Sequence, residues 1–364
     1  MNFLLIVDDY GAAFVEARVA VEMSESLKTQ DNDFLEKLVP FKMNEKPSFP
    51  VSLIFQVTYF GCGGIAICVG FHHIIADMTT AANFIKHWAA IACGSNVSND
   101  IARPLSDFTS IFHSQNLSGF SRSSFYEGYF LSTEIMIKRF TFDGAKIASL
   151  RQKIGNESSS DYYPTRFEAV SALILGGVMT AAREEEEFNY THLVASTAVN
   201  LRKRMSPPLP EQSIGNVIQS TTANWPMKKN INYNKLAEKL HEATSMITDD
   251  YVRKVHANGG FLNHLKNAME GSSMNNNSVK NFPINSWLRF SFYGVDFGWG
   301  KPIWVSSVMK CKDVAILLDS HDDKGIEALV GLSQKEMVKF EQDPGILAYS
   351  SPNPSNSYPE QEKS

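Results

Sequence analysis

Apolar residues recur along this chain in two rhythms, an alternation that predicts strands and a three-to-four-residue spacing that predicts helices. The apolar run Phe3–Val7 predicts a buried strand, Asp8–Gly11 a turn, and Phe14–Met23 its returning partner. In that second strand Val15, Ala17, Val19 and Val21 alternate with Glu16, Arg18 and Glu22. Val51–Phe60 alternates again, Gly61-Cys62-Gly63-Gly64 predicts a hairpin turn, and Ile65–Phe71 predicts a short strand that delivers His73 at its end. Asp77 is then placed to cap a helix running to about Ala92, with Ala81, Phe84, Ile85, Trp88 and Ile91 on one face and Gly94 as its stop.

Residues 95–133 carry no sustained period and predict a long connection. Beyond it, Ile135–Phe142 reads as a strand and Asp143 as the cap of a helix burying Ile147, Leu150 and Ile154. A helix follows Pro164, and Leu193–Val199 has the pattern of a central strand. Helical spacing of Leu236, Leu240, Met246 and Ile247 predicts a helix over Asn234–His256. Gly271–Lys280 is polar and Asn-rich, a mobile loop by composition, and Val314–Leu318 is a strand. Ser333-Gln334-Lys335-Glu336 is a capping box opening the last helix, and the chain from Pro352 onward reads as a disordered tail. Strands and helices alternate irregularly, so the pattern predicts an α/β layered fold.

Composition narrows the function. The chain has 364 residues, 43% of them hydrophobic and 20% charged, as expected of a soluble protein with room for two domains. A net charge of −5 argues against nucleic acid. Glu184–Glu187 is the one acidic run and predicts a solvated loop or helix end. Four cysteines without a C-x-x-C spacing predict buried, reduced thiols in a cytoplasmic protein. Five apolar residues at Phe3–Val7 are too few for a signal peptide or a membrane span.

The first candidate chemistry is His72-His73-Ile74-Ile75-Ala76-Asp77. An imidazole, with a pKa of about 6.5, can take a proton from a hydroxyl at neutral pH. A His-x-x-x-Asp match is weak alone, because 9 His and 39 acidic residues in 364 produce such a pair by chance. A zinc site on His72, His73 and Asp77 is poorly supported, since adjacent side chains at a strand end point in opposite directions. Asp77 invites a triad-like reading in which its carboxylate orients the imidazole.

Asp296-Phe297-Gly298-Trp299-Gly300 is a stronger signal, because Trp and Phe are uncommon and no helix or strand period demands that order. Preceded at long range by HHIIAD and followed by Lys301-Pro302, it resembles the plant BAHD acyltransferase family, whose members move an acyl group from coenzyme A to an alcohol or amine. The similarity continues through PTRFEAVSA at 164–172, NLRKRMSPPLP at 200–210, NSWLRF at 285–290 and a stretch around 325–344. It therefore covers nearly the whole chain, and within the family it most resembles the alkaloid- and alcohol-acetylating group.

The resemblance implies an α/β fold of two chloramphenicol-acetyltransferase-like domains with mixed sheets and a channel between them. Mapped here, the first domain spans 1–114 and carries HHIIAD, a crossover loop spans 115–134, the second domain spans 135–350 and carries DFGWG, and 351–364 is the tail. It implies His73 as general base in direct transfer from acyl-CoA, with acetyl-CoA as co-substrate, no permanently bound cofactor and no metal. Asp77 is expected to turn away from His73 and pair with an arginine, Arg202 by the best match and Arg204 as alternate. Asp296 is the second residue the family pairs with catalysis, through an indirect role far from His73, held by backbone amides or by an arginine such as Arg289. Phe297, Gly298, Trp299 and Gly300 support that loop, with Trp299 packed. Ser286 and Trp287 match a segment that borders the acceptor pocket, and Met78 stands where relatives often carry Gly. The expected partners are a small-molecule alcohol and acyl-CoA, with no nucleic acid or membrane, and the expected state is a cytoplasmic monomer. Family members carry a further N-terminal segment before the point matching Met1, so the first domain is expected to be incomplete and prone to aggregation. The alternative function is accordingly an impaired relative acting as a binding or regulatory protein, or a non-functional gene product.

Overall fold

A computed structural model of the chain describes residues 11–29, 32–40, 52–95, 111–112, 135–156, 162–183, 189–257, 260, 278–309 and 311–352. The strand expected at Phe3–Val7, the acidic run Glu184–Glu187 and nearly all of the connection expected at 95–133 lie outside these residues.

The first sheet has the order β1-β2-β3, formed by β1 (Ala13–Val19), β2 (Leu53–Phe60) and β3 (Ile65–Phe71). β2 and β3 form the expected hairpin, closed where the Phe60 amide donates to Gly64 O at 2.9 Å. β1 runs parallel to β2 and stops at Val19, four residues short of the strand expected to Met23. Past that point the Val21 carbonyl accepts from the hairpin's Gly61, and Met23 opens helix α1 (Met23–Thr29), which is followed by α2 (Asn32–Lys37). Helix α3 (Met78–Ala92) lies on this sheet through aromatic contacts. Phe84 stacks on Phe55 at 5.9 Å and meets Phe71 edge-on at 5.5 Å, while Trp88 sits 4.7 Å from Phe55. Ile91, expected on the buried face, is 57% exposed at the helix's last turn. Gly94 ends the helix, its amide returning to Ile91 O.

A five-stranded mixed sheet follows the order β11-β4-β10-β9-β8. Its strands are β4 (Ile135–Phe142), β8 (Ile284–Trp287), β9 (Val314–Asp319), β10 (Ile326–Ser333) and β11 (Ser351–Pro352), with only β8 and β9 paired in parallel. Ser351 and Pro352, assigned to the tail by sequence, pair with Thr141 and Phe140 of β4. A third sheet has the order β6-β5-β7, built from β5 (His192–Asn200), β6 (Ile218–Pro226) and β7 (Val279–Asn281). Phe282 N bonds Val194 O at 2.8 Å, and Ala315 N bonds Pro283 O at 3.0 Å, so the chain between β7 and β8 ties these two sheets together.

The main core lies between those two sheets and the helices α4 (Gly144–Asn156), α5 (Arg166–Arg183) and α6 (Tyr233–Ser245), with α8 (Gln334–Gln342) closing it. α5 is buried on all sides from Glu168 to Met179, as its nearly unbroken apolar run requires. Asp143 and Ser333 cap α4 and α8 as their positions predict, and α9 (Pro344–Tyr349) is capped by Asp343.

The helix expected over Asn234–His256 is two helices, α6 and α7 (Asp249–His256). Thr248 breaks it, because its hydroxyl accepts from Tyr251 N and starts a new helix with Asp249 and Asp250 in the first turn. Met246, expected inside, is 58% exposed at this break. Lys280, assigned by composition to a mobile loop, sits in β7 and is fully buried, with Nζ 2.7 Å from Asp313 and 2.6 Å from Glu336. All four cysteines are free, but Cys62 and Cys93 are exposed, against the expectation of buried thiols. Among the described residues no helix is long and apolar enough to cross a membrane.

Candidate active site

His73 lies in the turn between β3 and α3, where strand pairing has ended and the helix has not begun. Its side chain is exposed and has no hydrogen-bond partner among the described residues. The preceding His72 is held locally, its Nδ1 accepting from Ile74 N at 3.3 Å.

Asp77 points away from His73 into a buried network. It caps α3, its Oδ1 accepting from Thr80 N at 2.8 Å and from the Thr80 hydroxyl at 2.9 Å. Arg202 reaches the same carboxylate with both terminal nitrogens, Nη1 to Oδ2 at 2.7 Å and Nη2 to Oδ1 at 3.1 Å. Val217 N donates a further bond to Oδ2 at 3.1 Å. Arg202 is itself satisfied by Ser213 O and Asn200 Oδ1, so an ion pair with only 1% and 3% side-chain exposure leaves no charge uncompensated. Arg204, the alternate partner, donates instead to the carbonyls of Thr244 and Ile247.

The turn around His73 is also gripped by the chain entering β6. Asn216 Nδ2 donates to His73 O at 2.6 Å and Ile74 O at 2.9 Å. Its neighbour Gly215 accepts from Asp77 N and exchanges bonds with the Thr80 hydroxyl, at a φ of 123° that only glycine adopts readily. Neither residue is prominent in the sequence; the one available signal is a polar Gly-Asn pair just before an alternating strand.

Asp296 is somewhere else. Its Oδ1 accepts from the amides of Gly298 at 2.8 Å and Gly300 at 3.0 Å, and these bonds hold its carboxyl below the ordinary carboxylate range. The glycines carry φ values of 103° and 114°, which the tight loop requires. Arg289, offered as another partner for Asp296, bonds through its amide to Asp319 instead. The loop rests on the far end of α3: Cys93 Sγ donates to Asp296 O at 3.1 Å, and Phe297 meets Trp88 edge-on at 4.8 Å. Trp299, expected to pack inward, is 62% exposed and stacks on Phe297. At about 1.5 Å per residue, the helix of 15 residues separates Asp77 from the Asp296 loop by roughly 22 Å.

Ser286 and Trp287 lie on opposite faces of β8, both half-buried, with Trp287 against Phe292. Among the described residues no three metal-ligating side chains converge.

A model of the Transferase family matches residues 3–347. The chain belongs to this family, the BAHD acyltransferases. It is 58% identical over 349 residues to epi-neemfruitin B synthase of Melia azedarach, a match covering 96% of this chain and 80% of that relative. It is 54% identical over 357 residues to limonoid 1-O-acetyltransferase of Citrus sinensis, again covering 96% and 80%. The crystal structure of vinorine synthase matches with a TM-score of 0.71 at 26% identity, over 91% of this chain and 75% of that one. As a BAHD protein the chain is an acyltransferase, and its mixed sheets flanked by helices are the chloramphenicol-acetyltransferase-like arrangement of that family.

Proposed function

We propose that this BAHD acyltransferase moves an acetyl group from acetyl-CoA to a hydroxyl of a limonoid, with His73 as general base in a ternary complex. The observation that carries the reading is the split of the HHIIAD segment: Asp77 is committed to Arg202, while the His73 imidazole is exposed and unengaged among the described residues. In this reaction the imidazole takes the acceptor's hydroxyl proton as the oxygen attacks the thioester carbonyl. The tetrahedral intermediate then collapses, the C–S bond breaks, and the imidazolium returns the proton to the departing thiolate. A thiolate leaves readily, so no covalent enzyme intermediate is needed and none of the four thiols is asked to be a nucleophile.

The acceptor class rests on the two relatives above 50% identity, one of them named as a limonoid 1-O-acetyltransferase. Ser286 and Trp287 border the acceptor in this reading, and Asp296 with Phe297, Gly298, Trp299 and Gly300 acts indirectly, through α3. Four free thiols suit a reducing cytoplasmic setting, in which the protein acts as a monomer.

The test is thiol release from acetyl-CoA by the purified chain, across limonoid alcohols and unrelated alcohols, beside His73→Ala. Release with limonoid alcohols, lowered by about 10²–10⁴-fold in the variant, is expected. Ordinary turnover in His73→Ala removes the mechanism, and turnover confined to unrelated alcohols removes the acceptor.

A further inference from the structure

We infer that Asn216 is a positioning residue for the acyl transfer, holding the His73 turn at the place where the imidazole must act. The inference rests on the reading of His73 as general base and adds a residue that the sequence motifs do not contain.

The turn has little of its own to fix it. His73 has left the β2–β3 ladder, and α3 begins only at Met78. Within the turn, Ile75 N returns to His72 O, which leaves the next two carbonyls, of His73 and Ile74, to find other partners. Asn216 supplies both bonds from a single amide nitrogen, at 2.6 and 2.9 Å. A side-chain amide nitrogen carries two hydrogens, so each carbonyl is served by its own donor.

These bonds cross 143 and 142 residues of sequence, from the lip of a different sheet. Asn216 is flanked by residues that grip the helix start, Gly215 through Asp77 N and Val217 through the Asp77 carboxylate. The neighbours therefore fix where α3 begins, and Asn216 alone among the three reaches the backbone of His73. The Asp77–Arg202 pair cannot do this, because it acts four residues further along and points away.

The imidazole makes the arrangement matter. In a Ser-His-Asp triad a carboxylate orients the base; here no described residue bonds the ring, so its position is inherited from its backbone. A general base must come within about 3 Å of the proton it takes, and a misplacement of about 1 Å can cost about 10²-fold in rate. Asn216 is also exposed, so exchanging it disturbs no core packing.

The experiment compares Asn216→Asp and Asn216→Ala with the wild-type chain. The aspartate keeps the shape of the side chain but offers no donor and faces two carbonyl oxygens. Both variants are expected to lose about 10- to 100-fold in kcat, with KM for acetyl-CoA and the melting temperature close to wild type. The second readout is the NMR signal of the His73 imidazole, identified by its loss in His73→Ala. It is expected to be one sharp signal in the wild type and broadened or split in both variants. That signal is readable even if no acceptor is turned over, so a failure of the proposed reaction, seen as no thiol release by the wild type, is distinguished from a failure of this assignment. An Asn216→Asp variant with wild-type kcat, or a His73 signal unmoved by either substitution, overturns it.

Discussion

Arg202 and Asp77, 125 residues apart, meet in a two-pronged ion pair at 2.7 and 3.1 Å that joins the start of α3 to the chain between β5 and β6. Each charge is buried, and each is satisfied on its remaining sides by Thr80, Val217, Ser213 and Asn200. Asp77→Asn leaves the guanidinium in place without a counter-charge. Losing one partner of a buried pair costs about 3–5 kcal/mol, so a clear drop in denaturation midpoint is expected, together with lower activity. Unaltered unfolding of the Asp77→Asn protein would mean that the pair contributes little to holding these segments together.

Lys280 is balanced between Asp313 and Glu336. Burial works against its charge, but the two carboxylates reverse that effect and hold its pKa above the ordinary lysine value. Its contribution is thus fully present at neutral pH and is lost only as pH climbs past the ordinary value of 10.5 toward the folded one. Lys280→Met strands the buried Glu336 carboxylate and takes a counter-charge from the half-buried Asp313, and is expected to cost about 3–5 kcal/mol near pH 7. Because protonation relieves those carboxylates, the deficit against wild type should shrink as the solution is acidified. Chemical denaturation at several pH values checks this, and a deficit that grows in acid contradicts it.

The Asp296 carboxyl is lowered by the Gly298 and Gly300 amides, so the bonds it makes as a carboxylate favour the folded loop above its ordinary pKa of 3.8. That preference is lost as pH falls through the lower, folded value. Asp296→Asn retains an acceptor oxygen but not the charge. The stability gap between wild type and this variant is therefore expected at neutral pH and should close below about pH 4. Parallel melting curves of the two proteins across that range decide it; a gap that persists at low pH sinks the argument.

Thr248 starts α7 by accepting the Tyr251 amide. Thr248→Ala is expected to cost about 1 kcal/mol, with the loss confined to α7 in amide exchange. Equal protection of the Tyr251 to His256 amides in both proteins would show that the cap is dispensable.

Local order is what the sequence discloses best. The β2–β3 hairpin, the strand–turn–helix around His73 and the capping box at Ser333 are legible because each is written in consecutive residues with a fixed period or cap. The same holds for the DFGWG loop, whose glycines sit where positive φ is needed. What escapes is set at long range. Lys280 stands in a polar, Asn-rich stretch, and the carboxylates that justify its burial come 33 and 56 residues later. Asn216 is an exposed amide whose partners lie in another sheet's turn, so no periodicity marks it. Trp299 shows the opposite error: a large aromatic in a compact motif suggests packing, yet it lies outside, against Phe297. The α6–α7 break is hidden for a different reason, because helical spacing continues across it and only Thr248's cap interrupts.

Helix α3 carries HHIIAD at one end and meets DFGWG at the other, which makes it a beam. Its two ends are clamped by different parts of the chain, Asp77 by Arg202 and Val217, and Cys93 with Trp88 by the Asp296 loop. The helix is a rod of roughly 22 Å held near both tips, so the two motif segments are joined by one continuous element. In the proposed reaction the DFGWG loop would bear on the base only by way of this beam, from its far end.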